Sequence, residues 1–203
     1  MTPKDSPQPH RATQDQLPAV VDVMSGAFFA DRTFRWIVPD DQQRRRCGHN
    51  FYEAVVEAFW RNGEIWVAGA GKGAALWLPP GVSLVPPADA EAHTARLLAT
   101  VGDAASMARM AEVFAALDAH HPTEPCWYLN FMGIDPAAQG QGLGSALLAS
   151  VLGQADRDGM PAYLEASSPQ SRKLYERHGY QTIGELIVSD CPVLYPMWRP
   201  PLG

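Results

Sequence analysis

Cysteine is scarce in this chain, and its spacing does not match a common cysteine-based site. The chain has an odd number of cysteines, which are Cys47, Cys126 and Cys191, and no two of them are spaced as Cys-x-x-Cys. This pattern argues against a disulfide framework or a zinc knuckle, and it makes a reducing cytoplasm the expected location. The adjacent His120 and His121 have no carboxylate at ligand spacing, so we predict no metal site.

Long apolar runs and an excess of basic residues are also absent. No segment offers the ~18 apolar residues of a membrane span, and Met1–Pro9 lacks the apolar centre of a signal peptide. The 16 basic residues are outnumbered by 22 acidic ones, so we predict neither a membrane nor a nucleic-acid partner. Because 46% of the residues are hydrophobic, residues 10–203 are expected to form one domain after a disordered tail of residues 1–9.

Hydrophobic spacing predicts strands and helices in mixed order. Helical patterns cover Asp15–Phe29, Asp41–Arg61, Asp89–His120 (an alanine-rich stretch that we divide into two helices), Gly142–Asp158 and Pro169–His178. Strand patterns cover His10–Thr13, Glu64–Ala70, Gly73–Leu78, Cys126–Ile134, Pro161–Ala166, Tyr180–Ser189 and Pro192–Trp198. This order predicts an α/β (α+β) fold, with a mixed sheet, helices on both of its faces and a helical insert at about residues 84–121.

The stretch from Ile134 to Ser145 has the composition of an anion-binding turn. A strand ends at Ile134, glycines follow at positions 140, 142 and 144, and a long apolar helix begins. Glycine allows positive φ and a close approach of the backbone to a ligand. The first N–H groups of a helix have no partner within it, so they can converge on a phosphate, helped by the helix dipole. We therefore predict a pyrophosphate site at this turn.

Other phosphate-binding motifs fit the turn poorly. A Gly-x-Gly-x-x-Gly fingerprint needs glycine at position 145 or 147, where the chain has Ser145 and Leu147. A P-loop needs a lysine, which this turn does not contain. The remaining alternative is that the glycines only let the helix pack closely on the sheet.

Two motifs make the chain similar to the GNAT superfamily of N-acetyltransferases. Gln139-x-x-Gly142-x-Gly144 resembles the family's signature of arginine or glutamine, two residues, glycine, one residue, and glycine or alanine. The stretch Leu174–Tyr180 begins with Leu-Tyr-Glu and ends with Gly-Tyr, and it resembles a second family motif. The resemblance implies the GNAT fold, in which a mixed, mostly antiparallel sheet splays between its fourth and fifth strands. It also implies acetyl-CoA as the cofactor.

The resemblance also implies which residues hold acetyl-CoA. The pantetheine arm would enter the gap in the sheet and pair with the backbone near Phe131–Ile134, and the glycine turn would bind the pyrophosphate. Family members often have asparagine seven residues before the tyrosine, where this chain has Ser168. The implied cofactor-binding residues are Phe131, Met132, Gly133, Ile134, Gln139, Gly140, Gln141, Gly142, Leu143, Gly144, Ser145, Ser168 and Ser171.

Acetyl transfer from a thioester to an amine needs two proton transfers. A lysine-like amine of pKa ~10.4 must lose a proton, at a cost of about 4.6 kcal/mol at pH 7, and the departing thiolate must gain one. Tyr175 matches the family's tyrosine, so the resemblance implies that it is the general acid. Glu165 is a candidate general base that acts through a water. Alternatively, Glu165 is a surface carboxylate or a substrate anchor, or the reaction has no dedicated base.

Further stretches, including Ile65–Ala68 and Ala75–Leu78, are similar to the puromycin N-acetyltransferase-like group of this superfamily. This resemblance implies transfer to the primary amine of a small molecule by direct attack on the thioester. The candidate acceptor-site residues are Phe29, Asp31, Phe34, Trp77 and Tyr128, and we expect at least half of the aromatic candidates to be core residues. The alternatives are a non-catalytic acyl-CoA sensor and a protein or peptide N-acetyltransferase. Either a monomer or a homodimer is expected.

Overall fold

Seven strands form one sheet in the computed structural model, which describes residues 8–202. They are β1 (His10–Arg11), β2 (Glu64–Ala68), β3 (Gly73–Leu78), β4 (Trp127–Ile134), β5 (Ala162–Ala166), β6 (Gln181–Thr182) and β7 (Tyr195–Arg199). Their order across the sheet is β1-β2-β3-β4-β5-β7-β6. The β4–β5 pair is parallel, and the other neighbours are antiparallel. The predicted mixed, mostly antiparallel sheet is confirmed, whereas residues 1–7 of the predicted tail lie outside the described residues.

Seven α-helices connect these strands in the described part of the chain. They are α1 (Leu17–Phe28), α2 (Arg32–Ile37), α3 (Asp41–Asn62), α4 (Ala90–Thr100), α5 (Ala104–His120), α6 (Leu143–Arg157) and α7 (Pro169–Glu176). Acidic N-caps start several of them: Asp40 accepts from an N–H of α3, and Asp103 accepts from an N–H of α5. No helix within residues 8–202 has the length and hydropathy needed to cross a membrane.

The sheet separates two hydrophobic cores, as expected for helices on both faces. Leu76 belongs to the core that α1 and α3 cover, whereas its neighbour Trp77 belongs to the core under α6. The approach of α1 to the sheet depends on Gly133 in β4. A β-carbon there would lie 2.9 Å from Met24 Sδ and 3.1 Å from Ala27 Cβ, so a larger residue would push α1 away from β4.

The parallel strands β4 and β5 pair only at their first residues. Trp127 is opposite Ala162 and Tyr128 is opposite Tyr163, and the pairing ends there. On its other edge β4 pairs with β3, but Asn130 has no partner and is the extra residue of a β-bulge. The rest of β4 therefore faces a gap on the β5 side. This separation confirms the predicted splay of the sheet.

The C-terminal strands are shorter than predicted. The predicted strand Tyr180–Ser189 is wrong beyond Thr182, since only an isolated bridge between Leu186 and Leu194 follows β6. Residues 181–185 are all exposed, so they have no alternating apolar face to hold a strand in register. β7 begins at Tyr195 rather than at Pro192, because Leu194 before it pairs only through the isolated bridge to Leu186.

Candidate active site

The glycine turn presents a run of free backbone donors. Gly140 and Gly142 have φ of 77° and 83°, a left-handed conformation that favours glycine. The first hydrogen bond of α6 runs from Ala146 N–H to Gly142 O, at 3.0 Å. Within residues 8–202, the N–H groups of the seven residues Gln139–Ser145 donate to no protein acceptor. Consecutive free donors at the start of a helix suit an anion with several oxygens, such as a pyrophosphate.

Close packing also fixes this turn. A β-carbon at Gly144 would lie 3.2 Å from Leu174 Cδ2 and 3.7 Å from Met132 Cε, so α6 approaches both α7 and β4 here. The Leu143 side chain is buried in the core, which leaves its N–H as the part that faces a ligand. The turn is therefore both tightly packed and rich in free N–H donors. Its glycines can serve an anion site and also allow α6 to pack closely, so the two interpretations are compatible.

The side chains of Phe131, Met132 and Ile134 pack into the two hydrophobic cores. The Phe131 ring packs edge-on against Phe28 and Tyr52, at centroid distances of 5.7 and 5.6 Å. Met132 and Ile134 pack against the opposite core. The backbone of this part of β4 is therefore what faces the gap, and unpaired strand backbone can pair with an extended, amide-containing arm.

Tyr175 lies on α7, the helix that follows β5. The residue is buried, and its ring packs edge-on against Tyr180 at 5.9 Å. Burial first, and then the negative charge of Asp31, raise the pKa of Tyr175 well above its ordinary value. The phenol therefore stays protonated at neutral pH and can act only as a proton donor there.

Glu165 is a buried carboxylate on β5 with a raised pKa. Its Oε2 accepts a hydrogen bond of 2.8 Å from Tyr128 Oη. Its Oε1 and Tyr163 Oη are both buried and, within the described residues, have no hydrogen-bond partner. Burial raises the pKa of Glu165 to about 7, and the hydroxyls of Tyr128 and Tyr163 oppose that rise. Glu165 can therefore accept a proton near pH 7.

Asp31 joins the acceptor side of the gap to the loop before α7. Its Oδ1 accepts from the N–H groups of Thr33 and Phe34, at 2.9 and 3.0 Å, which starts α2. Its Oδ2 accepts from Ser167 Oγ at 2.6 Å. Three donors therefore hold this carboxylate in place, between the predicted acceptor wall and the helix that carries Tyr175.

Ser168 and Ser171 form the cap of α7. Ser168 Oγ accepts from Ser171 N–H at 3.0 Å, and the two hydroxyl oxygens are 2.9 Å apart. This reciprocal capping box fixes the start of α7. Their contact with the pantetheine arm stays a prediction.

Some of the predicted acceptor-wall residues are core residues in the structure, and others are not. Trp77 is fully buried and Phe34 is 6% exposed, so both are core residues and we remove them from the wall. The reason for Trp77 is that β3 is covered on both faces, which buries every one of its residues except the last. Phe29 lies at the edge of this region, with the guanidinium groups of Arg44 and Arg45 at 4.7 and 4.6 Å from its ring centre.

Two hydrogen bonds tie the segment before β7 to helices α2 and α5. From α2, Trp36 Nε1 donates to Asp190 at 2.9 Å. From the segment before β7, Ser189 Oγ donates to Glu112 on α5 at 2.8 Å. The bonded residues are 154 and 77 positions apart in the sequence, so these contacts tie distant parts of the chain together.

Sequence reasoning missed Tyr163, Ser167 and His121. Tyr163 and Ser167 are two residues to either side of Glu165, and the alternation of a strand would have placed all three on one face. His121 packs its ring against Tyr128 and Tyr163, at centroid distances of 4.8 and 5.5 Å. No pattern in the sequence signals that contact, because it depends on where α5 ends over the sheet.

Comparisons with known proteins agree with this geometry. The model of the acetyltransferase (GNAT) family matches residues 83–180. A structure from Corynebacterium glutamicum, of histone acetyltransferase HPA2 and related acetyltransferase, is 30% identical and covers 98% of both chains, with a TM-score of 0.75. An uncharacterised N-acetyltransferase of Schizosaccharomyces pombe is 25% identical over 76% of this chain and 66% of its own length. The Drosophila melanogaster polyamine N-acetyltransferase, which forms N-acetylagmatine, has a similar fold, with a TM-score of 0.59 at 12% identity over 95% of this chain and 98% of its own.

Proposed function

Because the chain belongs to the GNAT family of acetyltransferases, we propose that it transfers an acetyl group from acetyl-CoA to the primary amine of a small molecule. The observation that carries this proposal is the run of free N–H donors at Gln139–Ser145, beside the gap between β4 and β5. The donors suit the pyrophosphate of acetyl-CoA, and the gap suits its extended pantetheine arm. One ligand would therefore use both features.

The proposed mechanism assigns one proton transfer to each of two residues. Acetyl-CoA would supply an activated thioester, and a neutral amine attacks its carbonyl carbon directly. Glu165 takes up the proton that the amine loses, either directly or through one water, which its pKa of about 7 permits. Tyr175 gives its phenolic proton to the departing thiolate, whose conjugate acid has a pKa of ~8.5. A C–N bond forms, a C–S bond breaks, and solvent restores the proton of Tyr175.

A small, cationic acceptor is supported by the surroundings of the two carboxylates. Asp31 is bonded to Ser167 before α7, and Glu165 lies on β5 next to the gap, so two carboxylates are available to attract a cationic amine. The Drosophila polyamine N-acetyltransferase, which has a similar fold, acts on a small amine. We extend the proposal to a reducing cytoplasm, which suits three buried, unbridged cysteines, and to a monomer or a homodimer.

Thiol release from acetyl-CoA, combined with mass spectrometry of the products, tests this proposal. The panel contains arylalkylamines, polyamines, agmatine and puromycin, with a lysine peptide for comparison. The proposal predicts an acetylated small amine and no acetylated peptide. Acetylation of the peptide alone would make the chain a protein acetyltransferase. If no amine on the panel is acetylated but acetyl-CoA still raises the melting temperature, the result would favour a non-catalytic acyl-CoA sensor.

A further inference from the structure

An imidazole that follows α7 contacts the glycine turn. His178 Nε2 lies 3.0 Å from Ser145 Oγ, and Ser145 is the last of the turn residues with a free N–H. Ser145 is the third residue of α6, and it carries the one hydroxyl group in the sequence Gln139–Ser145. The direction of that hydroxyl therefore depends on whether the imidazole nitrogen donates or accepts.

A rigid frame holds His178 in this position. Arg199 Nε donates to the His178 carbonyl at 2.8 Å, and its two terminal nitrogens donate to Asp156 on α6, at 2.7 and 2.8 Å. Gly179 follows with φ of 88°, and a β-carbon there would lie 3.4 Å from Arg199 Nε. A buried arginine thus fixes the loop after α7 to α6, which holds the backbone of His178 next to the helix that carries Ser145.

Solvent protons can reach this imidazole. His178 is half-buried and lines a concavity of about 590 Å³ whose wall also includes Asp156, Glu176, Arg177 and Arg199. Tyr175 and Glu165 are not part of that wall. Burial, and then the charges of Arg177 and Arg199, lower the pKa of His178. Asp156 is paired with Arg199 and Glu176 with Arg172, so these carboxylates only partly offset the two arginines, and the imidazole is neutral at pH 7.5.

We propose that His178 is a positioning residue for the pyrophosphate of acetyl-CoA and makes its binding depend on pH. The inference rests on the proposed function, because it takes the glycine turn as the pyrophosphate site. An imidazolium can only donate. Once His178 is protonated, it donates to Ser145 Oγ, so the Ser145 O–H is left free to donate to a phosphate oxygen. Protonation also adds a positive charge beside the anion, and both effects strengthen binding as pH falls.

Calorimetric titration with dephospho-CoA between pH 8 and pH 5.5 tests the inference. Dephospho-CoA keeps the pyrophosphate but lacks the 3′-phosphate, whose own titration near pH ~6 would obscure the result. We expect the wild-type dissociation constant to fall about threefold to tenfold over this range. His178→Gln keeps a hydrogen-bonding side chain that does not titrate, so its dissociation constant should stay flat. Ser145→Ala should show a smaller pH effect than the wild type, because only the charge effect remains.

The same titrations separate this inference from the proposed function. Equal pH dependence in the wild type and His178→Gln, both folded by circular dichroism, would overturn the inference and leave the acetyl-CoA site in place. Failure of the wild type itself to bind dephospho-CoA and acetyl-CoA would overturn the proposed function and the inference together. A pH effect that His178→Gln abolishes and Ser145→Ala reduces would support both.

Discussion

Removal of one hydroxyl should move the pH profile of the reaction. Tyr128 Oη donates to Glu165 Oε2 at 2.8 Å, which favours the ionised carboxylate. A hydrogen bond to a charged group contributes about 1.5–3 kcal/mol, and one pKa unit corresponds to about 1.36 kcal/mol. Tyr128→Phe should therefore raise the pKa of Glu165 by about 1–2 units from its value of about 7. The other groups that lower the pKa of Glu165, which are Tyr163 and the backbone of Glu165 itself, are the same in both proteins.

The assay is the pH dependence of kcat/KM for one accepted amine. In the wild type, kcat/KM should rise as Glu165 loses its proton near pH 7, and in Tyr128→Phe the same rise should occur about 1–2 pH units higher. The amine's own pKa is the same for both proteins, so the difference between them reports on the enzyme. Tyr195→Phe is the matched control. It makes the same chemical change on β7, where the Tyr195 ring lies under Arg172, and Tyr195 is not among the groups that shift the pKa of Glu165. Superimposable profiles for Tyr128→Phe and the wild type would refute Glu165 as the base.

Three further predictions concern stability. Burial raises the pKa of Glu165 from its ordinary value of 4.5 to about 7, so the folded protein loses stability as pH rises from 4.5 to 7. Glu165→Gln should therefore gain up to ~3 kcal/mol of unfolding free energy at pH 8 and little at pH 4, measured by urea unfolding. Gly142→Ala should lose ~1–2 kcal/mol from its left-handed φ of 83° and weaken acetyl-CoA binding, whereas Gly153→Ala within α6 should be neutral or stabilising; equal losses would contradict this. Arg44→Met should cost at least ~3 kcal/mol, since buried Arg44 donates to Phe29 O, Val38 O and Pro39 O, while exposed Arg45→Met should cost under ~1 kcal/mol; similar costs would remove that explanation.

Local sequence signals predicted the glycine turn and most of the sheet. Gly140 and Gly142 shape the turn through their positive φ, which can be read without knowledge of tertiary contacts, whereas Gly144 lies within α6 and matters through its packing against Leu174. The separation of β4 from β5 followed from the family resemblance and not from any residue pattern. Periodicity predicted the long helices α3 and α6 because each of them buries a continuous apolar face.

The acceptor side was less predictable because distant residues build it. α2 spans only Arg32–Ile37, which is too short for a helical period, although Asp31 before it is a recognisable N-cap. The bond between Asp31 and Ser167 joins residues 136 positions apart. Trp77 was included in the wall because the family resemblance implies an acceptor near the first two helices and the last strands, and the sequence alone does not show that both faces of β3 are covered.

The most direct test of the account is steady-state thiol release by wild type and Tyr175→Phe at saturating acetyl-CoA and amine, with acetyl-CoA affinity measured in parallel. General-acid catalysis typically contributes about 10²–10⁴-fold, so kcat should fall by about a hundredfold or more. The dissociation constant of acetyl-CoA should stay within about twofold, because the turn at Gln139–Ser145 is untouched. A Tyr175→Phe enzyme that turns over as fast as the wild type would contradict the assignment of Tyr175 as the proton donor.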